Sequence, residues 1–222
     1  MVAHYGSDAE GVRQATASIP PERKLLLPAD LGDPSAPARL WDEALAWRGT
    51  VDVLVNNAAV MDRVPFTADD TLWREGWQRT LAVNTIAPAS LIRRALPHFV
   101  DRGGGVVITV SSWVAQRGPG NPGLVAYAAS KAAVKSVTQT VARHHASDGV
   151  LAYVIAPGVV RTRLSEQAAA ESGGEAAVTA TLAMREWVPP QEVADLIVFL
   201  AGGHARHLSG ATLDVNGASY IR

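Results

Sequence analysis

The 222-residue chain has no cysteine, so disulfide bonds and thiolate metal sites are excluded. It has no apolar stretch near the length of a membrane span. Its first residues, MVAHYGSDAEG, carry neither a basic region nor an apolar core and do not read as a secretory signal. Charge of either sign is not in excess: 20 Lys and Arg face 21 Asp and Glu, a net of −1 with His neutral. That balance gives no footprint for nucleic acid or an anionic membrane. No internal repeat or low-complexity segment interrupts the chain. The expected partner is a small molecule, with no nucleic acid and no membrane, and the expected compartment is the cytoplasm. No metal site is expected. His204 and His207 are three apart, but no carboxylate or third ligand clusters with them.

What is present suits one domain over 1–222, long enough for a sizeable core. Strand and helix patterns alternate along its length. Strands are read at 2–5, 24–27, 51–55, 106–110, 150–155 and 211–215. Helices are read at 8–18, at 33–47 with Asp33 as N-cap and Pro34 at the first position, across 70–99 with Pro88 inside, at 126–146 and at 191–200. Residues 163–188 are variable in pattern, and 168–181, rich in Ala, Glu and Gly, look the most flexible. Regular alternation predicts an α/β fold, a Rossmann-like, doubly wound parallel sheet between two helical layers.

The chain is organised around 111–131, SSWVAQRGPGNPGLVAYAASK. The β-branched run 106–110 leads into it as a buried strand, and a long helix leaves it. Tyr127 and Lys131 are four apart and share a helix face. A free tyrosine titrates near pH 10, too high for good proton transfer at neutrality. A lysine ammonium one turn away favours the phenolate and lowers that value. A serine hydroxyl at the strand's end would hold a substrate carbonyl in line with the phenol. The plain alternative is a helix-start aromatic beside a solvated lysine.

Further motifs bear on that choice. They are Asn56-Asn57-Ala58-Ala59, Asn84 with Pro88, Ser111-Ser112, Tyr127-Ala-Ala-Ser-Lys131 and Pro157-Gly158-Val159-Val160-Arg161-Thr162. In this order they resemble the classical short-chain dehydrogenases/reductases, most closely the branch of 3-oxoacyl-carrier-protein reductases. The resemblance runs from about residue 2 to the end. It implies an NAD(P)-dependent oxidoreductase interconverting a carbonyl and a secondary alcohol. Tyr127 would be the general acid/base and Lys131 would hold the nicotinamide ribose. Ser112 would orient the carbonyl, with Ser111 still open, and Asn84 would help hold a proton-relay water. Asn57 and Ala58 would approach the cofactor closely, although Ala59 stands where the family usually has Gly. Asp30, followed by Leu31, would accept from the adenine amino group, unless it simply closes a turn. Pro157 and Gly158, the Val160 backbone and the Thr162 hydroxyl would hold the carboxamide. After the first strand there is His4-Tyr5-Gly6-Ser7 and no acid in place, so NADP(H) is favoured over NAD(H), with Ser7 a candidate phosphate contact. The family is homotetrameric or homodimeric, with helices near Asp70 and Tyr127 at one interface, and 163–188 would form a lid.

One departure stands out. In the family a first strand and a glycine-rich turn precede the position of residue 2 here. The match at Gly118-Pro119-Gly120-Asn121-Pro122-Gly123 is rejected, because it lies inside the Ser-to-Tyr loop and two positions are prolines without an N–H for phosphate. The first βα unit is therefore expected to be missing, leaving the strands at 2 and 24 without their link to the strand at 51 unless they re-pair with it. The reading is of a chain incomplete at its start. Its alternative is a cofactor-free, non-catalytic protein of the same fold that acts as a subunit or binding module.

Overall fold

A computed structural model describes residues 1–222. Six strands form, all parallel to their neighbours: β1 (Val2–Tyr5), β2 (Leu25–Pro28), β3 (Val53–Asn56), β4 (Gly105–Val110), β5 (Val150–Pro157) and β6 (Thr212–Val215). Nine α-helices connect or follow them: α1 (Ala9–Ala15), α2 (Ala36–Arg48), α3 (Asp70–Leu81), α4 (Ala87–Asp101), α5 (Val114–Arg117), α6 (Val125–His145), α7 (Arg163–Ala170), α8 (Gly174–Thr179) and α9 (Pro190–Ala201). Alternate residues of the central strands face opposite layers, as the two-residue period of a strand requires. Val107, Val150 and Ala152 pack against Trp41 of α2, Ile92 and Phe99 of α4, and Val141 of α6. Val106, Ile108, Tyr153 and Ile155 pack on the other face against Val193 and Leu200 of α9. This is the expected three-layer, Rossmann-like arrangement.

The sheet is not continuous. β1 pairs only with β2, with Val2 opposite Leu25, while β3, β4, β5 and β6 form a separate four-stranded sheet. β1 and β3 do not pair with each other. Between them lies a cavity of about 790 Å³, lined by Met1, Val2 and His4 on one side and by 50–58 on the other. Val55, in what would be a sheet interior, is 40% exposed.

Several boundaries differ from the sequence reading. α2 starts at Ala36, because the Asp33 carboxylate accepts from the Ser35 N–H and hydroxyl and closes a turn there instead of capping. The single helix expected over 70–99 is two helices joined by a π-helical turn, Ala82–Ile86. Pro88 has no N–H for the Asn84 carbonyl, and the ladder widens at that point. The flexible-looking 168–181 contains the end of α7 and all of α8. Its Ala and Glu content supports helix, and the Thr162 hydroxyl, accepting from the Ser165 N–H, caps the first of the two.

Gly105 opens β4 directly under the fully buried Phe99: a Cβ there would lie 2.3 Å from the ring. Gly105→Ala is expected to destabilise the fold by about 1–3 kcal/mol through overpacking. A urea melt checks this, and an unchanged midpoint would mean that α4 shifts freely.

Candidate active site

Because all strands are parallel, their carboxyl ends share one edge, where an open α/β sheet binds ligands. Ser7 follows β1, Asp30 and Leu31 follow β2, Asn57 and Ala58 follow β3, Ser111 and Ser112 follow β4, and Pro157 and Gly158 close β5. Leu31, Asn57 and Ala58 line the cavity between β1 and β3, together with Val83 and Pro88. Ser7 and Asp30 lie outside that lining. Asp30 is exposed, and its carboxylate accepts from the Gly32 N–H at 2.8 Å, the turn role that the sequence left open.

α6 brings the chemistry to β4. Tyr127 and Lys131 sit one turn apart near its start, held down by two bonds to the strand's end. The Ser111 hydroxyl donates to the Lys131 carbonyl at 2.8 Å, and the Lys131 ammonium donates to the Val110 carbonyl at 2.7 Å. Ser111 is thus occupied in fastening the helix. Ser112 is the serine that bonds the Tyr127 phenol. Lys131 is 3% exposed, and its Nζ lies 5.8 Å from the centre of the Tyr127 ring.

The electrostatics depart from expectation. Burial pushes the Tyr127 phenol up from 10.0 to about 12, and its bond with Ser112 offsets only part of that rise. Burial also brings Lys131 down from 10.5 to about 8. The phenol is therefore protonated at neutral pH. No lowering by Lys131 accompanies that rise; its ammonium lies 5.8 Å from the ring centre and donates to the Val110 carbonyl.

Asn84 is tied into the structure by its side chain. It is buried in the π turn, and its side chain is fully engaged: Oδ1 accepts from the Val60 N–H at 2.8 Å, and Nδ2 donates to the Val60 carbonyl at 2.8 Å and to the Ser130 hydroxyl at 3.0 Å. Ser130 in turn donates to the Tyr127 carbonyl at 2.7 Å. The side chain clips the loop after β3 to the first turns of α6. Pro88 offers its backbone carbonyl no N–H at the α-helical spacing.

Two features fit a dinucleotide. The Asn56 Nδ2 is buried without a partner at the cavity wall, an orphan donor that needs an acceptor. Val160 bridges to Val188 through its neighbours, the Val159 carbonyl and the Arg161 N–H, and its own N–H bonds to nothing in the chain. Thr162 is exposed beside it.

Sequence reasoning missed Asn56, Ser130 and Arg63. Ser130 and Asn56 lay within quoted motifs, but their partners are set by packing. The Arg161 guanidinium bonds Glu175 at 2.8 Å and lies over the Trp187 ring.

Fold and site together define a doubly wound α/β protein with a phenol, a serine and a buried lysine gathered at the carboxyl edge of its sheet. The comparisons with known proteins agree. A family profile described as enoyl-(acyl carrier protein) reductase matches residues 1–218. The 3beta-hydroxysteroid dehydrogenase 1 of Eggerthella lenta is 34% identical over 220 residues, 98% of this chain and 82% of that protein. A Beutenbergia cavernae structure assigned as an NAD(P)-dependent gluconate 5-dehydrogenase, with NADP bound at low occupancy, superposes with a TM-score of 0.84 at 27% identity, covering 98% of this chain and 96% of that one. The 3-ketoacyl-(acyl-carrier-protein) reductase of Brucella melitensis, complexed with NADH, gives 0.84 at 25% identity over 99% and 87%. The chain belongs to the short-chain dehydrogenase/reductase family and is an NAD(P)-dependent oxidoreductase. No helix in it is long and apolar enough to cross a membrane.

Proposed function

We propose that the protein interconverts a carbonyl and a secondary alcohol, with a 3-oxoacyl thioester as the substrate class suggested by its resemblance. The observation that carries this reading is the Tyr127 phenol facing Ser112, with the buried Lys131 one turn along α6. When bound, the nicotinamide cofactor supplies or accepts the hydride. Tyr127 gives its proton to the carbonyl oxygen, and Ser112 donates a hydrogen bond to that oxygen as charge develops on it. Lys131 holds the ribose and, as a cation, stabilises the phenolate that remains. Asn84 positions the Val60 loop and helps hold the relay water. Asn57, Ala58, Pro157, Gly158, Val160 and Thr162 border the cofactor, with Leu31 and Asp30 toward the adenine. NADP(H) is the preferred cofactor, through Ser7 and the lack of an acid after β1. Residues 163–188 form the lid, and the protein works in the cytoplasm as a homotetramer or homodimer.

We further propose that the slot between β1 and β3 takes an additional parallel strand, whose following turn would offer backbone N–H groups to the pyrophosphate. Two unpaired strand edges and the orphan Asn56 Nδ2 support this. The open slot also favours a second reading, a cofactor-free binding protein of the same fold.

Titration of the 222-residue chain with NADPH and NADH, followed by nicotinamide fluorescence, separates the two. Saturable binding, tighter for NADPH, is expected. A folded chain that binds neither supports the second reading. Tighter binding of NADH would overturn the assignment of Ser7.

A further inference from the structure

The segment 163–188 packs through Ala169, Leu182 and Trp187 against Trp113, the neighbour of Ser112. Most of its polar anchors come from its own half of the chain: Arg161 bonds Glu175, Trp187 bonds Thr179, and the Ser219 hydroxyl accepts from the Ala183 N–H. One side chain reaches it from the first half. Arg63 pairs through Nε with Glu171, and its Nη2 donates to the Ala168 carbonyl at 3.2 Å and to the Ser172 hydroxyl at 3.1 Å. Ala168 lies in the last turn of α7 and Glu171 is its C-cap. The Ala168 carbonyl also accepts from the Ser172 hydroxyl at 2.8 Å, so the cation adds a second donor there and complements the helix dipole.

The base of Arg63 is held firmly. The next residue, Val64, is fully buried, and its N–H donates to the Gly123 carbonyl at 2.7 Å. Gly123 belongs to the short 3₁₀ turn, Pro122–Leu124, that leads directly into α6 and Tyr127. On the other side Asp62 pairs with Arg79 of α3, and the Val60 backbone is clipped by Asn84. Arg63 thus stands where three parts meet: the loop after β3, the turn that presents Tyr127, and the end of α7. Its side chain is 32% exposed and that of Glu171 is 58% exposed, and such pairs are weak and reversible. That strength suits a contact that must break in each catalytic cycle.

We infer that Arg63 is a positioning residue for the reaction: it latches 163–188 closed over the site and registers that closure to the turn carrying Tyr127. The inference rests on the active-site reading given above, but one arm of its test does not. Without cofactor, a glutamate-specific protease should cut Arg63→Ala at the exposed Glu166 and Glu175 roughly five- to tenfold faster than the parent. Arg63→Lys should fall between, because it keeps the charge and loses the fork. Thermal melts of the three proteins should coincide. In the second arm, with NADPH and ethyl acetoacetate, Arg63→Ala should raise the KM for the ketoester by a similar factor. Its kcat should hold or rise, since a looser lid opens sooner. Equal cleavage rates with KM within twofold overturn the latch. So does a joint fall in kcat and melting temperature, which marks a merely structural residue. If the parent neither binds NADPH nor turns over, the functional reading fails, and the cofactor-free cleavage rates still decide the latch.

Discussion

Tyr127→Phe is expected to cut kcat for carbonyl reduction by about two to four orders of magnitude, the usual value of a positioned general acid. The fold should be unaffected. The phenol is held up at about 12 from 10.0 by burial, so the folded chain keeps a proton that the unfolded chain loses only above pH 10. Its contribution to stability is constant below pH 10 and is lost as pH rises through 12. At neutral pH removal of the hydroxyl therefore costs only its bond with Ser112. The same shift sets a direction. Reduction, which needs the protonated phenol, should show no tyrosine limb at neutral pH, whereas alcohol oxidation, which needs the phenolate, should climb steadily into the alkaline range. Reduced-nicotinamide absorbance with a small ketoester measures both. A Phe variant that keeps more than a tenth of the parent kcat would remove Tyr127 from its assigned role.

Much of this was legible in the sequence because local periodicity carried it. Tyr127 and Lys131 share a face by spacing alone, and the runs at 106–110 and 150–155 read as strands within two residues of their observed ends. What escaped depends on burial and on distant contacts. The spacing of Tyr127 and Lys131 suggested a lowered phenol, but it holds no information on desolvation, which reverses the sign. Ser111 and Ser112 are alike in sequence, and only the alternation of β4's exit sends one toward the Lys131 carbonyl and the other toward Tyr127. In 168–181 the Ala, Glu and Gly content reads as flexibility, although its Ala and Glu favour helix once Thr162 caps α7. Arg63 gave no signal at all, because its partners on α7 lie more than a hundred residues away.

Lys131→Met should lower kcat/KM for reduction by at least two orders of magnitude, because it removes the cation that stabilises the phenolate left behind. Its effect on stability should depend on pH in a definite direction. The buried ammonium titrates at about 8, against 10.5 for the exposed group. Between those values the unfolded chain holds a proton that the folded chain has released, so parental stability rises with pH across that window. Below pH 8 both states are charged, and the folded state carries the full desolvation penalty, about 3 kcal/mol for that separation. Methionine removes the penalty but leaves the Val110 carbonyl without its donor, a loss of about 1–3 kcal/mol. The two effects nearly cancel at pH 7, so the variant should be close to the parent in stability there. It should then fall behind the parent by a few kcal/mol as pH rises toward 10. Base-induced loss from other groups is common to both proteins and drops out of the difference. Urea melts of the pair at several pH values read this directly. The parent's reduction rate should also decline above about pH 8, as Lys131 loses its proton, and the variant should lack that limb. Stability curves that stay parallel from pH 7 to 10 would mean that Lys131 is not held near 8, and the ammonium would then be charged throughout the working range of the enzyme.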